Sequence, residues 1–246
     1  MKIITIAIQK GGTGKTATAA AIASAASAKG MKCLAVDLDP QANLSYCLGA
    51  AVSNRPGSYE LLQGMNPAEI IQTRGCGLDI IPASWALSTM TSTTGSARRL
   101  SNALQPLLPH YDIVVIDTPP TAGECQYNAL QAATDLLIPM QADAFSLQAL
   151  YQIAATAHQF QGSNPSLKIA GIILTQYSSR SLLSRAMEKK IEKAAEDMGL
   201  PVIGRIRQGV AVREAAAMQQ PLFEYAPRAK PAADYMALFN VLTRQA

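Results

Sequence analysis

The chain has 246 residues, of which 49% are hydrophobic and 5% aromatic, a composition that excludes a disordered segment and suits an α/β protein with an interior of Ala, Ile, Leu and Val. Lys and Arg number 21 against 17 Asp and Glu, and residues 180 to 246 carry the whole basic excess, a weak pointer to an anionic partner that ordinary solvated helix faces would equally produce. The cysteines Cys33, Cys47, Cys76 and Cys125 are scattered, with no Cys-x-x-Cys pair and no clustered histidines, which argues against a zinc site or a disulfide framework and for reduced thiols.

In chain order, the apolar run Ile3 to Ile8 reads as a buried strand and not as a signal peptide. No apolar stretch is long enough to span a bilayer, and a soluble cytoplasmic protein is expected. Gln9-Lys10-Gly11-Gly12-Thr13-Gly14-Lys15-Thr16 follows, and then a helical alanine-rich run from Ala17 to Ala28. A strand, a glycine loop and a helix start form a phosphate cup: glycines let successive N–H groups point inward, and the helix dipole adds positive potential. Lys15 is placed to reach the outer phosphates and Thr16 to ligate Mg²⁺. The usual first glycine of such loops is here Gln9, and a second lysine, Lys10, precedes the paired glycines.

Met31 to Val36 is a second buried strand, ending at Asp37-Leu38-Asp39-Pro40-Gln41. Ligand groups gather beyond the carboxyl ends of parallel strands, so two carboxylates there suggest metal and water handling. A turn or helix-cap role is the common alternative for a single Asp. Tyr59 to Leu62 and Ala68 to Ile71 read as short helices, Gly77 to Ala83 as a strand, and Ser84 to Ser96, rich in Ser and Thr around Trp85, as a helix start or surface loop. Ala97 to Leu108 has helical spacing. Tyr111 to Asp117 is a strand that delivers a carboxylate, and Thr118-Pro119-Pro120 follows it. Strands at 136–140, 169–175 and from Val202 alternate with helices at 146–160 and 182–198. Parallel strands need crossover helices, so the pattern predicts one doubly wound, mostly parallel α/β sheet with helices on both faces in a single domain over residues 1–246.

Lys10 to Thr16 resembles the deviant Walker A motif of the ParA/MinD ATPases, a branch of the P-loop NTPases. Asp37 to Gln41 with Asn43 is similar to the ParA switch I, and Ile113 to Asp117 to its Walker B strand. The resemblance covers nearly the whole chain. It implies ATP held by Gly11, Gly12, Thr13, Gly14, Lys15, Thr16 and Ala17, with Gln176 and Arg207 against the base. Thr16, Asp37 and Asp117 would serve Mg²⁺, the aspartates through water, and Asp39 would position the attacking water. Many relatives have proline where Arg207 stands, so stacking by Arg207 is the expected substitute. Lys10 has no evident task in its own pocket, and the resemblance gives it to the nucleotide of a second protomer in an ATP-dependent homodimer. It further implies nonspecific DNA binding, with candidates Arg180, Arg185, Lys189, Lys193, Arg205, Arg213 and Arg228, a nucleoid-associated location when ATP is bound, and a ParB-like activator. Cys125 falls where nitrogenase iron proteins of the same clan place a cluster ligand, but a structural thiol is the expectation. Two other readings are a MinD-like membrane-surface ATPase, which needs a basic amphipathic tail where Asp234 to Arg244 reads as a core-docking helix, and an amidating enzyme of the clan.

Overall fold

The computed structural model describes residues 1–53, 55–143, 145–178 and 182–244. Eight strands, β1 (Lys2–Ile6), β2 (Cys33–Asp37), β3 (Gln72–Gly75), β4 (Leu78–Ile81), β5 (Ile113–Asp117), β6 (Asp135–Met140), β7 (Lys168–Tyr177) and β8 (Val202–Arg207), form one sheet in the order β3-β4-β2-β5-β1-β6-β7-β8. Every neighbouring pair is parallel except β3 with β4. The apolar runs of β1, β2, β5 and β6 are buried along nearly their whole length, as parallel strands covered on both faces must be.

Alternate residues of each strand serve opposite faces. Ile4, Ile6, Ala35 and Val115 pack with Ala19, Ala23 and Ala26 of α1 (Lys15–Ala28) and with Tyr235, Leu238, Phe239 and Leu242 of α10 (Lys230–Arg244). Small alanines let α1 lie close on the sheet beneath the loop that precedes it. On the other face Val36, Val114 and Ile116 meet α3 (Ser58–Leu62), α4 (Arg99–Leu104) and α5 (Glu124–Ala132), while Leu136, Ile138 and Ile172 meet α6 (Ser146–Gln161) and α7 (Leu182–Asp197). Burying each large apolar side chain is worth about 1.5–3 kcal/mol, so the four large residues of α10 fasten it to the sheet. Its apolar face is therefore committed to the core, as the sequence suggests. Among the described residues no helix is long and apolar enough to cross a membrane.

Two predicted helices change. Ala68 to Ile71 contains only a 3₁₀ turn, Pro67–Glu69, capped by Asn66 Oδ1 accepting from the Ala68 N–H at 3.1 Å. The antiparallel edge strand β3 follows it; its sequence is polar and mostly exposed, so it carries no apolar signal. The helix over 97–108 shrinks to α4 between 3₁₀ turns at Ser96–Arg98 and Gln105–His110, because Pro106 and Pro109 cannot donate to a helical ladder. Within the Ser/Thr-rich stretch, Trp85–Thr89 forms another 3₁₀ turn. The remaining helices are α2 (Asn43–Cys47), α8 (Val210–Ala217) and α9 (Leu222–Tyr225).

Candidate active site

Register brings the site together. Asp37 ending β2 and Ile6 ending β1 are both aligned with Asp117 ending β5, so the loop after β1 opens beside Asp117, with Asp37 one strand further along the same edge. Gly12 and Gly14 have φ of 74° and 84°, the left-handed region that a side chain disfavours. The loop's carbonyls are claimed from outside the cup. Lys15 Nζ donates to the Lys10 carbonyl at 2.8 Å, Gln141 Nε2 and Gln176 Nε2 to the Gly12 carbonyl at 2.6 and 3.2 Å, and Thr175 Oγ1 to the Thr13 carbonyl at 2.7 Å. With those oxygens occupied, loop N–H groups remain to meet an anion. Gln141 and Thr175 had no sequence signature, since each merely lies at the end of a distant strand.

Lys15 is buried, and desolvation lowers its ammonium pKa against the opposing pull of Asp117 and Asp39. Asp117 is fully buried; desolvation first, and then Asp37, hold its carboxyl well above the usual carboxylate range. Its Oδ2 accepts from Thr16 Oγ1 at 2.7 Å, while Oδ1 has no partner. A buried carboxylate oxygen without a partner, beside a hydroxyl oxygen, fits a hard divalent cation. A cavity of about 380 Å³ adjoins these groups, lined by Gly11 to Ala17, Asp39, Gln41, Asn43, Pro120 and Gln176.

Asp37 is held by its own chain. Its Oδ2 accepts from the Ser45 N–H at 2.8 Å and Ser45 Oγ at 2.7 Å, and its Oδ1 accepts from the Asp39 N–H at 3.1 Å. Burial raises its carboxyl to about 6 against those bonds. Asp37 thus anchors the segment that carries Asp39, and Asp117 is the carboxylate with an oxygen on offer. Ser45 Oγ also accepts from the Ala83 N–H at 2.9 Å, and Ser58 Oγ donates to the Asp37 carbonyl at 2.6 Å. Neither serine stands in a motif that sequence reading could single out.

Beside the cup lies a pocket of about 170 Å³ lined by Gly14, Ala17, Thr175, Gln176, Ile206, Arg207, Val212 and Tyr235, among others. Gln176 takes a left-handed conformation there, φ 51°. Arg207 is paired at the pocket's edge. Its Nε and Nη2 donate to Asp234 at 2.8 and 2.6 Å, so an ion pair holds the guanidinium at the rim.

Lys10 also departs from expectation. It has a partner in its own chain: Nζ pairs with Asp143 and donates to Ser146 Oγ at 3.0 Å. Burial would raise the Asp143 carboxyl, but hydrogen bonds from Lys10, the Phe145 N–H and Ser146 outweigh it and hold the group below its ordinary value. Phe145 beside it is 77% exposed.

Of the DNA candidates, Arg185, Lys189 and Lys193 are exposed on α7 at four-residue spacing, which puts them on one helix face. Arg213 and Arg228 are exposed as well. Arg205 stands apart, because Glu188 and Glu192 of α7 bind its guanidinium. Arg180 lies outside the described residues. Cys125 is buried, and desolvation pushes its thiol up to about 12, as burial does for a structural thiol.

A family model described as an AAA domain matches residues 1–169. The chromosome partitioning protein ParA of Caulobacter vibrioides is 34% identical over 256 residues, covering 100% of this chain and 95% of that protein. The chromosome-partitioning ATPase Soj of Thermus thermophilus is 34% identical over 238 residues, covering 96% and 92%. Among solved structures, cobyrinic acid a,c-diamide synthase from Mycobacterium smegmatis, crystallised with ADP and magnesium, superposes with a TM-score of 0.85 at 29% identity, covering 100% of this chain and 95% of that one. With a loop lysine on each side of the paired glycines and full-length relatives of this kind, the chain belongs to the ParA-type family of P-loop ATPases.

Proposed function

We propose that this ATPase is a dimerising switch of DNA partition, in which an ATP-bound pair of chains binds DNA without sequence preference and a ParB-like partner stimulates hydrolysis to release it. The observation that carries the reading is the pair of loop lysines, Lys15 folded back over its own loop and Lys10 turned out to Asp143 at the margin of the site. A lysine held outside its own cup can turn to a second nucleotide once its contact with Asp143 opens. The loop N–H groups and Lys15 bind the phosphates of ATP. Thr16 and Asp117 hold Mg²⁺, with Asp37 fixing the neighbouring segment. Bound there, the ion neutralises phosphate charge. Asp39 orients the attacking water, while the switch segments after β2 and β5 respond to the outermost phosphate.

Close superposition on the diamide synthase favours a second reading, a small-molecule amidating enzyme. A membrane-surface role has less support, because the apolar face of α10 is spent on the core. Sizing chromatography with ATP, ADP and no nucleotide tests the first reading on wild type, Lys10→Ala and Asp39→Ala. We expect Lys10→Ala to lose ATP-dependent dimers and Asp39→Ala to retain them with turnover reduced by about 10²-fold or more. Dimers that persist in Lys10→Ala would remove the role given to that lysine. DNA-stimulated turnover without any carboxylate substrate would exclude the amidating enzyme.

A further inference from the structure

A further cavity, of about 500 Å³, shares Arg207, Gly209 and Arg213 with the pocket beside the cup but none of the residues that line the cup itself. Tyr177, Val210 and Lys230 are among its other walls, and no carboxylate lines it. Its cations stand at helix starts. Lys230 is the first residue of α10 and Arg213 the fourth of α8, and neither helix has an acidic residue in its first turn. Gly209, the N-cap of α8, lets the two starts meet, since a Cβ there would come within 2.6 Å of Pro231 Cγ. A cation at the positive end of a helix dipole is repelled by it, and here two such ends share one recess. Arg207 is paired with Asp234, but among the described residues no carboxylate pairs with Arg213 or Lys230, both of them exposed. Three cations against the one carboxylate of Asp234 leave the recess two positive charges in surplus.

We propose that this recess binds a small phosphorylated metabolite, a phosphate monoester with an organic body, at a site separate from the ATP cup. The inference goes beyond the partition reading and does not depend on it. A phosphate monoester carries about two negative charges at neutral pH and three strong acceptor oxygens, which matches the surplus. Arg213 and Lys230 meet the phosphate from the two helix starts. Arg207 joins them with the donors that its own contacts leave over: Nε and Nη2 serve Asp234 and the Lys230 carbonyl, so the two Nη1 hydrogens remain. The recess has room beyond a phosphate group. There Val210, 58% exposed, and the ring of Tyr177, whose hydroxyl is spent on Glu188 at 3.1 Å, offer apolar contact to the organic part. A DNA duplex is the less suitable occupant, because it carries singly charged phosphates on a convex surface, better met by the exposed row Arg185, Lys189 and Lys193 on α7 than by a recess. Arg207 belongs to both cavities, so the occupant also fixes one wall of the pocket beside the cup.

Calorimetric titration of the full-length protein tests the site. The chain is first saturated with the non-hydrolysable ATP analogue AMP-PNP and Mg²⁺, which keeps the probe out of the cup. It is then titrated with phenyl phosphate and with the singly charged phenyl sulfate, above the second phosphate pKa of about 6. We expect saturable binding of phenyl phosphate that is weaker by ~10-fold or more for phenyl sulfate, in Arg213→Gln and in Lys230→Gln, the size of a lost charged hydrogen bond. Both side chains are exposed, so neither substitution disturbs the core. No saturable binding, equal binding of the two probes, or undiminished binding in either variant overturns the proposal. The same titration in the presence of excess duplex DNA identifies the occupant. Phenyl phosphate binding that persists supports a free anion, whereas displacement by the duplex gives the recess to a DNA phosphate and overturns the proposal.

Discussion

Lys10 and Asp143 are 133 residues apart in sequence and in contact in the fold. For Lys10 to reach a second nucleotide, this contact must break, so Asp143 competes with the partner protomer for the same ammonium. Asp143→Asn should therefore lower the ATP concentration for half-maximal dimerisation by roughly 3- to 10-fold, by removing a population held in the closed arrangement. The side chains are 21% and 34% exposed, so the stability cost should stay below about 1 kcal/mol. Because the Asp143 carboxyl is held below its ordinary value, the contact contributes fully above the ordinary carboxylate range and fades as pH falls through the lowered value. Urea titrations of wild type and Asp143→Asn should differ at neutral pH and converge in acid. The glycines and Lys15 of the loop, with the strand-end Asp37, Asp39 and Asp117, were legible in sequence because local spacing alone defines them. Asp143, Gln141, Thr175 and Ser45 were not, because only the register of distant strands delivers them. The hydrogen-bonding of Asp37 was hidden for a similar reason: its donor Ser45 lies beyond the motif.

The strands and helices that bury apolar runs could be read directly, and those that do not were lost. β1, β2, β5, β6 and β7 announce themselves by continuous aliphatics. β3 is polar, and α5 follows a proline-rich switch with no clear amphipathic stripe. One irregularity inside a legible strand has a measurable cost. Gly171 in β7 has φ 151° and lies where the β6–β7 register shifts; an added Cβ would come within 2.8 Å of Ile203 Cγ2 and 2.9 Å of the Pro201 carbonyl. Gly171→Ala should destabilise the protein by about 2 kcal/mol or more through strain and crowding. Gly204→Ala, whose Cβ would meet Leu238 at 3.4 Å with no backbone penalty, should cost clearly less. Chemical denaturation of the two variants side by side decides the point, and an equal loss would place the irregularity elsewhere.

Across the whole molecule, the modest net charge conceals an arrangement. On α7, Arg185, Lys189 and Lys193 form an exposed row, while Glu188 and Glu192 turn toward Arg205 on β8. Counting basic residues in the C-terminal quarter could not separate the two, since pairing depends on which side of α7 faces the sheet. If the row contacts phosphates, Lys189→Gln with Lys193→Gln should weaken ATP-dependent DNA binding uniformly across sequences. It should also reduce the slope of log K against log salt by about 1–2, and an unchanged slope would move the DNA face off α7. A different consequence follows from the other end of the sheet. Lys2, at the start of the central strand, donates through Nζ to the carbonyl of Leu242 in the last turn of α10, where a cation also favours the helix terminus. The first strand and the last helix are thereby latched to each other on the edge of the sheet remote from the phosphate loop. A fluorophore attached to a cysteine introduced beside Lys2 or beside Leu242 would therefore report from the same place, and the catalytic edge stays clear whichever is chosen.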